Sequence, residues 1–168
     1  MIKYFRSIKQ RDPAARNFIQ IILLYPGVHA VFWYRIAHFL YKIKLKLIGE
    51  MISMIVRFFT QIEIHPGATI GKRLFIDHGS GTVIGATTII GDDCTIYQNV
   101  TLGSVSPIKG KRHPTLKDRV MVGAGAKIIG NITIGDDAKI GACAVVLSDV
   151  PPKGVAIGYK ATIINKNQ

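Results

Sequence analysis

Cysteine is scarce. Cys94 and Cys143 are the two in the chain, and they offer no disulfide framework, so a reducing cytoplasm fits. Acidic residues are also few: ten Asp and Glu stand against 22 Lys and Arg, a net charge of +12. The deficit is sharpest in residues 1–60, where ten basic residues face only Asp12 and Glu50, leaving +8 there and +4 on the remainder. Such a charge suits a solvated helical face, and it also suits a polyanionic or anionic-membrane partner. No nucleic-acid motif accompanies it, so nucleic-acid binding is not expected. Long apolar runs are missing as well. Asn17–Tyr34 holds no charged residue, but Pro26-Gly27 splits it, and neither half approaches the roughly 20 residues of a membrane span. No convincing small-residue cleavage site follows the basic start Arg6, Lys9 and Arg11, so a signal peptide is not read. The five histidines have no carboxylate or cysteine beside them at a convincing ligand spacing, and no metal centre is expected.

What is present is a six-residue beat. Aliphatic residues recur at Ile64, Ile70 and Ile76, then at Ile84, Ile90, Ile96 and Leu102, then at Leu116, Val122, Ile128, Ile134, Ile140 and Val146. Neither a helix nor a simple strand has this period; a parallel β-helix of hexapeptide repeats does. The fifth position of the hexads is small or β-branched (Ala68, Thr88, Cys94, Val100, Val120, Ala126, Ala138), which suits a narrow interior. Glycine often follows the anchor, as at Gly71, Gly85, Gly91 and Gly123, and is expected to take a positive φ at the corner. Spacing does not give the hand of the coil.

The expected organisation is a helical region over 1–60, the β-helix over 61–157 with a projecting loop at 103–115, and a tail at 158–168. In the first part Asp12 is expected to cap a helix with Pro13 at its first position, ending at Pro26-Gly27. Further helices are expected over about Val28–Tyr41 and Leu47–Phe59. They could cap the open end of the solenoid or mediate assembly.

The beat breaks twice, and the breaks hold residues suited to chemistry. A two-residue slip between Ile76 and Ile84 contains Asp77 and His78. A neutral imidazole there can take a proton from an attacking hydroxyl, best with a carboxylate fixing its tautomer. Glu63 lies fifteen residues earlier, close to one circuit of three hexads, which would stack it near His78. The second break, Gly103–Thr115, carries Lys109, Lys111, Arg112 and His113, a basic loop suited to a carboxylate or phosphate. Taken alone, either histidine could simply fill a corner or a solvated loop.

These segments together resemble the serine acetyltransferases, which make O-acetyl-L-serine for cysteine synthesis. The resemblance rests on Arg11-Asp12-Pro13-Ala14, Tyr25-Pro26-Gly27-Val28-His29-Ala30, Arg35-Ile36-Ala37-His38, Ile62-Glu63-Ile64-His65-Pro66-Gly67-Ala68, Ile76-Asp77-His78-Gly79, Lys111-Arg112-His113-Pro114 and Gly123-Ala124-Gly125-Ala126-Lys127. It implies a mainly β fold, a left-handed parallel β-helix with an α-helical N-terminal region, trimeric, with active sites between neighbouring subunits. It implies His78 as general base, Glu63 orienting it, and His113 on the opposite wall. Asp12 and Asp77 would face the ammonium of L-serine and Arg112 its carboxylate. Acetyl-CoA, the co-substrate, would lie beside Gly103, Ser104, Ala124 and Ala142, with direct attack in a ternary complex and no metal.

The chain departs from the family pattern at Ala86, at Ser104, and at Gly158-Tyr159-Lys160-Ala161-Thr162. It ends Asn165-Lys166-Asn167-Gln168 without the isoleucine that docks into O-acetylserine sulfhydrylase, so that complex is expected to be weak or absent. A dimer of trimers stays open, as do two other functions: O-acetylation of a sugar or homoserine, and a non-catalytic trimeric scaffold.

Overall fold

The computed structural model describes residues 2–158. Most of the tail, including the positions from Tyr159 to the end, therefore lies outside the described residues. Four helices come first: α1 (Ile2–Arg11), α2 (Phe18–Leu24), α3 (Pro26–Lys42) and α4 (Lys46–Thr60). Fourteen short strands follow: β1 (Glu63–Ile64), β2 (Thr69–Ile70), β3 (Phe75–Ile76), β4 (Val83–Ile84), β5 (Ile89–Ile90), β6 (Thr95–Ile96), β7 (Thr101–Gly103), β8 (Thr115–Leu116), β9 (Met121–Val122), β10 (Lys127–Ile129), β11 (Thr133–Ile134), β12 (Lys139–Ile140), β13 (Val145–Val146) and β14 (Val155–Ala156).

Strands three apart pair in parallel, with β14 joining β12 at the end, giving three faces: β1-β4-β7-β10-β13, then β2-β5-β8-β11, then β3-β6-β9-β12-β14. The chain thus winds as a parallel β-helix of triangular section; its hand is left, against the usual right-handed crossover preference. All the aliphatic anchors are buried, Ile84, Ile96, Leu102, Leu116, Ile128 and Ile134 at 0% exposure. Fifth-position residues Ala68, Thr88, Cys94, Val100, Val120, Ala126 and Ala138 share that interior, also at 0%. Cys94 is buried and Cys143 exposed, and both are free.

The glycines after the anchors do not take positive φ. Left-handed backbone falls two residues later, on Arg73, Asp93, Asp137 and Cys143. The glycine is needed because coils stack too closely there for a side chain: a Cβ on Gly91 would lie 2.7 Å from the Lys117 carbonyl carbon.

The helical region differs from expectation in its joints. Asp12-Pro13 starts no helix; α1 ends just before it, and Asn17 caps α2 through its side chain, which accepts from the Gln20 N–H. Pro26 opens α3 rather than closing α2, because a first-turn proline lacks only an N–H the helix would not have used.

The first coil has no preceding coil to satisfy its outward carbonyls. The helices meet that need. Tyr34 Oη donates to Ala68 O at 2.6 Å, Arg35 to Ile70 O at 2.6 Å and to Gly71 O, and His38 Nδ1 pairs with Pro66 O at 2.7 Å. The helices therefore cap this end of the solenoid. Among the described residues no single helix is long and apolar enough to cross a membrane; α2 and α3 are bent by 71° between them.

Candidate active site

The slip puts two extra residues between β3 and β4. His78 takes φ 57° and is followed by Gly79 and Gly81 at 81° and 75°. A non-glycine residue in the left-handed region is uncommon, and here it turns the imidazole outward, 74% exposed, with Nε2 4.0 Å from Asp77 Oδ1. Burial pushes the Asp77 carboxyl above its ordinary range, the His78 charge pulls it down, and the nearby Asp12 carboxylate pushes it up again. Asp12 stands at the end of α1. Its Oδ1 accepts from the Ala14 N–H at 2.8 Å and its Oδ2 from the Tyr25 hydroxyl. Burial, then this bond to Asp12, raises the Tyr25 phenol to about 12. A cation beside Asp77 would relieve both its burial as a carboxylate and the repulsion from Asp12.

Arg112 and His113 form a second cluster, built around Thr87. The Thr87 hydroxyl oxygen accepts from the Arg112 N–H at 3.0 Å and the His113 N–H at 3.1 Å, and stands 2.8 Å from His113 Nδ1. With both backbone donors on its oxygen, the hydroxyl proton is free to donate to Nδ1, which puts the neutral ring's proton on Nε2. His113 is only 7% exposed; burial and the charges of Arg112, Lys111 and His65 lower its pKa. Gly85 makes room for it, since a Cβ there would lie 2.1 Å from His113 Cδ2. Thr87 and His65 were not among the residues singled out from the sequence. Thr87 had a signal: it lies one loop-lengthened circuit of 26 residues before His113, the spacing of Ile89 and Thr115 in register.

Glu63 is not stacked on His78. The slip lengthens this circuit to the 20 residues between Glu63 and its register partner Val83, so a fifteen-residue offset falls short of a full turn. The Glu63 carboxylate instead pairs with Arg57 at 2.8 Å.

The family model described as "Bacterial transferase hexapeptide (six repeats)" matches residues 113–148. A serine acetyltransferase of Helicobacter pylori is 59% identical over 161 residues, 96% of this chain and 94% of that protein. One from Bacillus subtilis is 50% identical over 98% of this chain and 79% of its own length. The chain belongs to the serine acetyltransferase family. Among solved structures, isoform 3 from Entamoeba histolytica, in complex with cysteine, superposes with TM-score 0.92 at 41% identity. It is covered over 59% of its length by 98% of this chain. The Neisseria gonorrhoeae serine acetyltransferase in complex with serine gives 0.89 at 40%, with 95% of this chain on 65% of that one. The chain thus spans roughly three-fifths to two-thirds of these solved relatives.

In this serine acetyltransferase family member the four residues expected along the cofactor fall on two edges. Ala124 and Ala142 stack on successive coils, with the Cys143 N–H donating to Ala124 O at 2.8 Å. Their edge, between the β9 and β10 faces, is the one that carries His78, two coils earlier; Ser80, Gln98 and Ala124 link in the same column. Gly103 closes β7 at the other end of the shared face, and Ser104 Oγ accepts from the Ser106 N–H at 3.0 Å at the start of the loop. That edge also carries Thr87 and, through it, Arg112 and His113. The structure therefore places the residues expected at the site in two clusters on different edges of one chain, His78 with Ala124 and Ala142 on one, and Gly103, Ser104, Arg112 and His113 with Thr87 on the other.

Proposed function

We propose that this chain transfers the acetyl group of acetyl-CoA to the hydroxyl of L-serine, giving O-acetyl-L-serine and CoA. The observation that carries the reading is the partly buried Asp77 carboxylate beside His78, close enough to Asp12 for that carboxylate's charge to reach it. An amino-acid acceptor needs such an anionic pocket for its ammonium; a neutral sugar does not. Family membership supplies the reaction class.

In this reading the His78 imidazole accepts the serine hydroxyl proton as Oγ attacks the thioester carbonyl. The tetrahedral intermediate then collapses, the C–S bond breaks, and the imidazolium returns the proton to the departing CoA sulfur. Arg112 holds the serine carboxylate with its guanidinium fork, and His113 presents its Nε2–H from the opposite wall. Acetyl-CoA lies beside Gly103, Ser104, Ala124 and Ala142. The carboxylate that orients His78 in the family pattern is Glu63, which in this structure pairs with Arg57 at 2.8 Å. The two clusters combine across a subunit boundary in a homotrimer, where the His78 edge of one protomer meets the His113 edge of its neighbour. Cysteine synthesis is the pathway this product serves.

The test is an acceptor panel. Purified chain with acetyl-CoA should release free CoA with L-serine and far less with homoserine or a sugar. Robust turnover of a sugar with none of serine would overturn the reading, and absence of acetyl-CoA binding by calorimetry would favour a scaffold.

A further inference from the structure

Arg11 sits one residue before Asp12 and is tied into the first two coils. Its Nη1 donates to Asp93 O at 3.0 Å, Cys94 O at 2.9 Å and Thr95 Oγ1 at 3.1 Å. Its Nη2 donates to Arg73 O at 2.7 Å and Ser7 Oγ at 3.0 Å, and its Nε to Ser7 O at 3.1 Å. These partners lie on α1, on the first coil and on the second, and only a planar fork of donors reaches all three. The guanidinium also lies 5.5 Å from the centre of the Phe75 ring. Phe75 is 1% exposed and leads through Ile76 directly into Asp77-His78.

Tyr25 meets the same ring: its own ring stacks on Phe75 with centroids 6.4 Å apart and planes 28° from parallel. Its hydroxyl then binds Asp12 Oδ2. The Asp12 backbone N–H donates to Ile8 O at 2.8 Å, at the end of the helix that Arg11 anchors. One buried aromatic side chain thus carries both supports of Asp12 and the strand that delivers Asp77 and His78.

We infer that Arg11 and Tyr25 are positioning residues that act through Asp12: Arg11 locks the end of α1 onto the strand leading to His78, Tyr25 orients the carboxylate, and together they fix the distance between the ammonium pocket and the base. This inference rests on the reading of Asp12 as the partner of the acceptor's ammonium. Neither side chain touches the reacting atoms. Their loss acts on serine and leaves the cofactor track, on later coils, untouched.

The experiment is steady-state kinetics on the full chain carrying Arg11→Lys or Tyr25→Phe, with L-serine and acetyl-CoA varied independently and CoA thiol as the readout. Lysine keeps the charge but not the fork; phenylalanine keeps the ring on Phe75 but not the hydroxyl. Each is expected to raise the serine KM about tenfold while the acetyl-CoA KM stays within about twofold, the signature of a displaced acceptor contact. An unchanged serine KM in Tyr25→Phe overturns the inference, as does a parallel rise in both KM values, which marks general loosening. Should Arg11→Lys fail to fold, Tyr25→Phe decides alone. A wild-type chain that turns over no serine overturns the functional reading and this inference with it. Wild-type turnover beside unchanged variants overturns this inference only.

Discussion

His78 and His113 stand on different edges of the same coil stack: His78 in the turn from β3 to β4, His113 under Thr87 at the turn from β4 to β5. The face spanned by β1, β4 and β7 separates them. Residues on two edges of a rigid triangular prism cannot converge by side-chain rotation. They can converge across a three-fold assembly, where one protomer's edge meets its neighbour's.

Mixed trimers test this. His78→Ala and His113→Ala are each expected to lose activity by about 10²–10⁴-fold for removal of the base and less for His113. Co-expression should restore activity at up to about one site in four, since such a site draws one intact histidine from each protomer. Co-expressed variants no more active than either alone would place both histidines in one chain's site.

Gly85→Ala should damage the acceptor wall. The new methyl would stand 2.1 Å from His113 Cδ2, so the imidazole must leave Thr87. We expect the serine KM to rise and stability to fall by about 1–3 kcal/mol, since the methyl overpacks a place filled by the buried imidazole. Wild-type kinetics in this variant would show that His113 has another place to go.

Leu102→Ala should cost about 2–5 kcal/mol. Leu102 has 0% exposure and its strand is the central member of a five-stranded face, so coils above and below cannot close the cavity. Urea unfolding followed by circular dichroism measures the loss, and a cost below about 1 kcal/mol would mean the interior repacks.

Acid should destabilise the fold below the ordinary imidazole range. His113 and His65 both have pKa values lowered from 6.5, in each case first by burial. Their unfolded forms therefore bind protons more readily than the folded ones. The resulting stability is fully present above the unfolded value near 6.5 and declines as pH falls below it. Denaturation midpoints at pH 7.5 and 5.5 should differ in that direction, and His113→Asn should narrow the difference. A midpoint that rises on acidification would contradict the assignment of His113 as a buried neutral ring.

The β-helix was legible because its cause is periodic. One residue in six must point inward on every coil, so the anchors from Ile64 to Val146 announce the fold without any tertiary information. The two breaks were legible for the same reason, and Asp77, His78, Arg112 and His113 were found through them. Thr87 was harder to see, because its link to His113 runs through a circuit lengthened by the loop, and no constant spacing reveals it. The same variable circuit length undid the fifteen-residue argument for Glu63. In the helical region, Asp12-Pro13 carries a plausible helix start that tertiary contacts override: Arg11 ends α1 on the first two coils, and Tyr25 takes the Asp12 side chain that a cap would have used.

The sequence by itself determined the solenoid, its core and the identity of the candidate chemical groups, since these follow from local spacing and residue type. Tertiary structure alone decided which groups share an edge. Circuits of 18, 20 and 26 residues, as in Lys127 to Val145, Glu63 to Val83 and Thr101 to Lys127, bring distant residues into register through backbone pairing. That register brings Thr87 to His113 and keeps His78 and His113 apart on one chain, while the docking of α1 through Arg11 brings Asp12 towards Asp77.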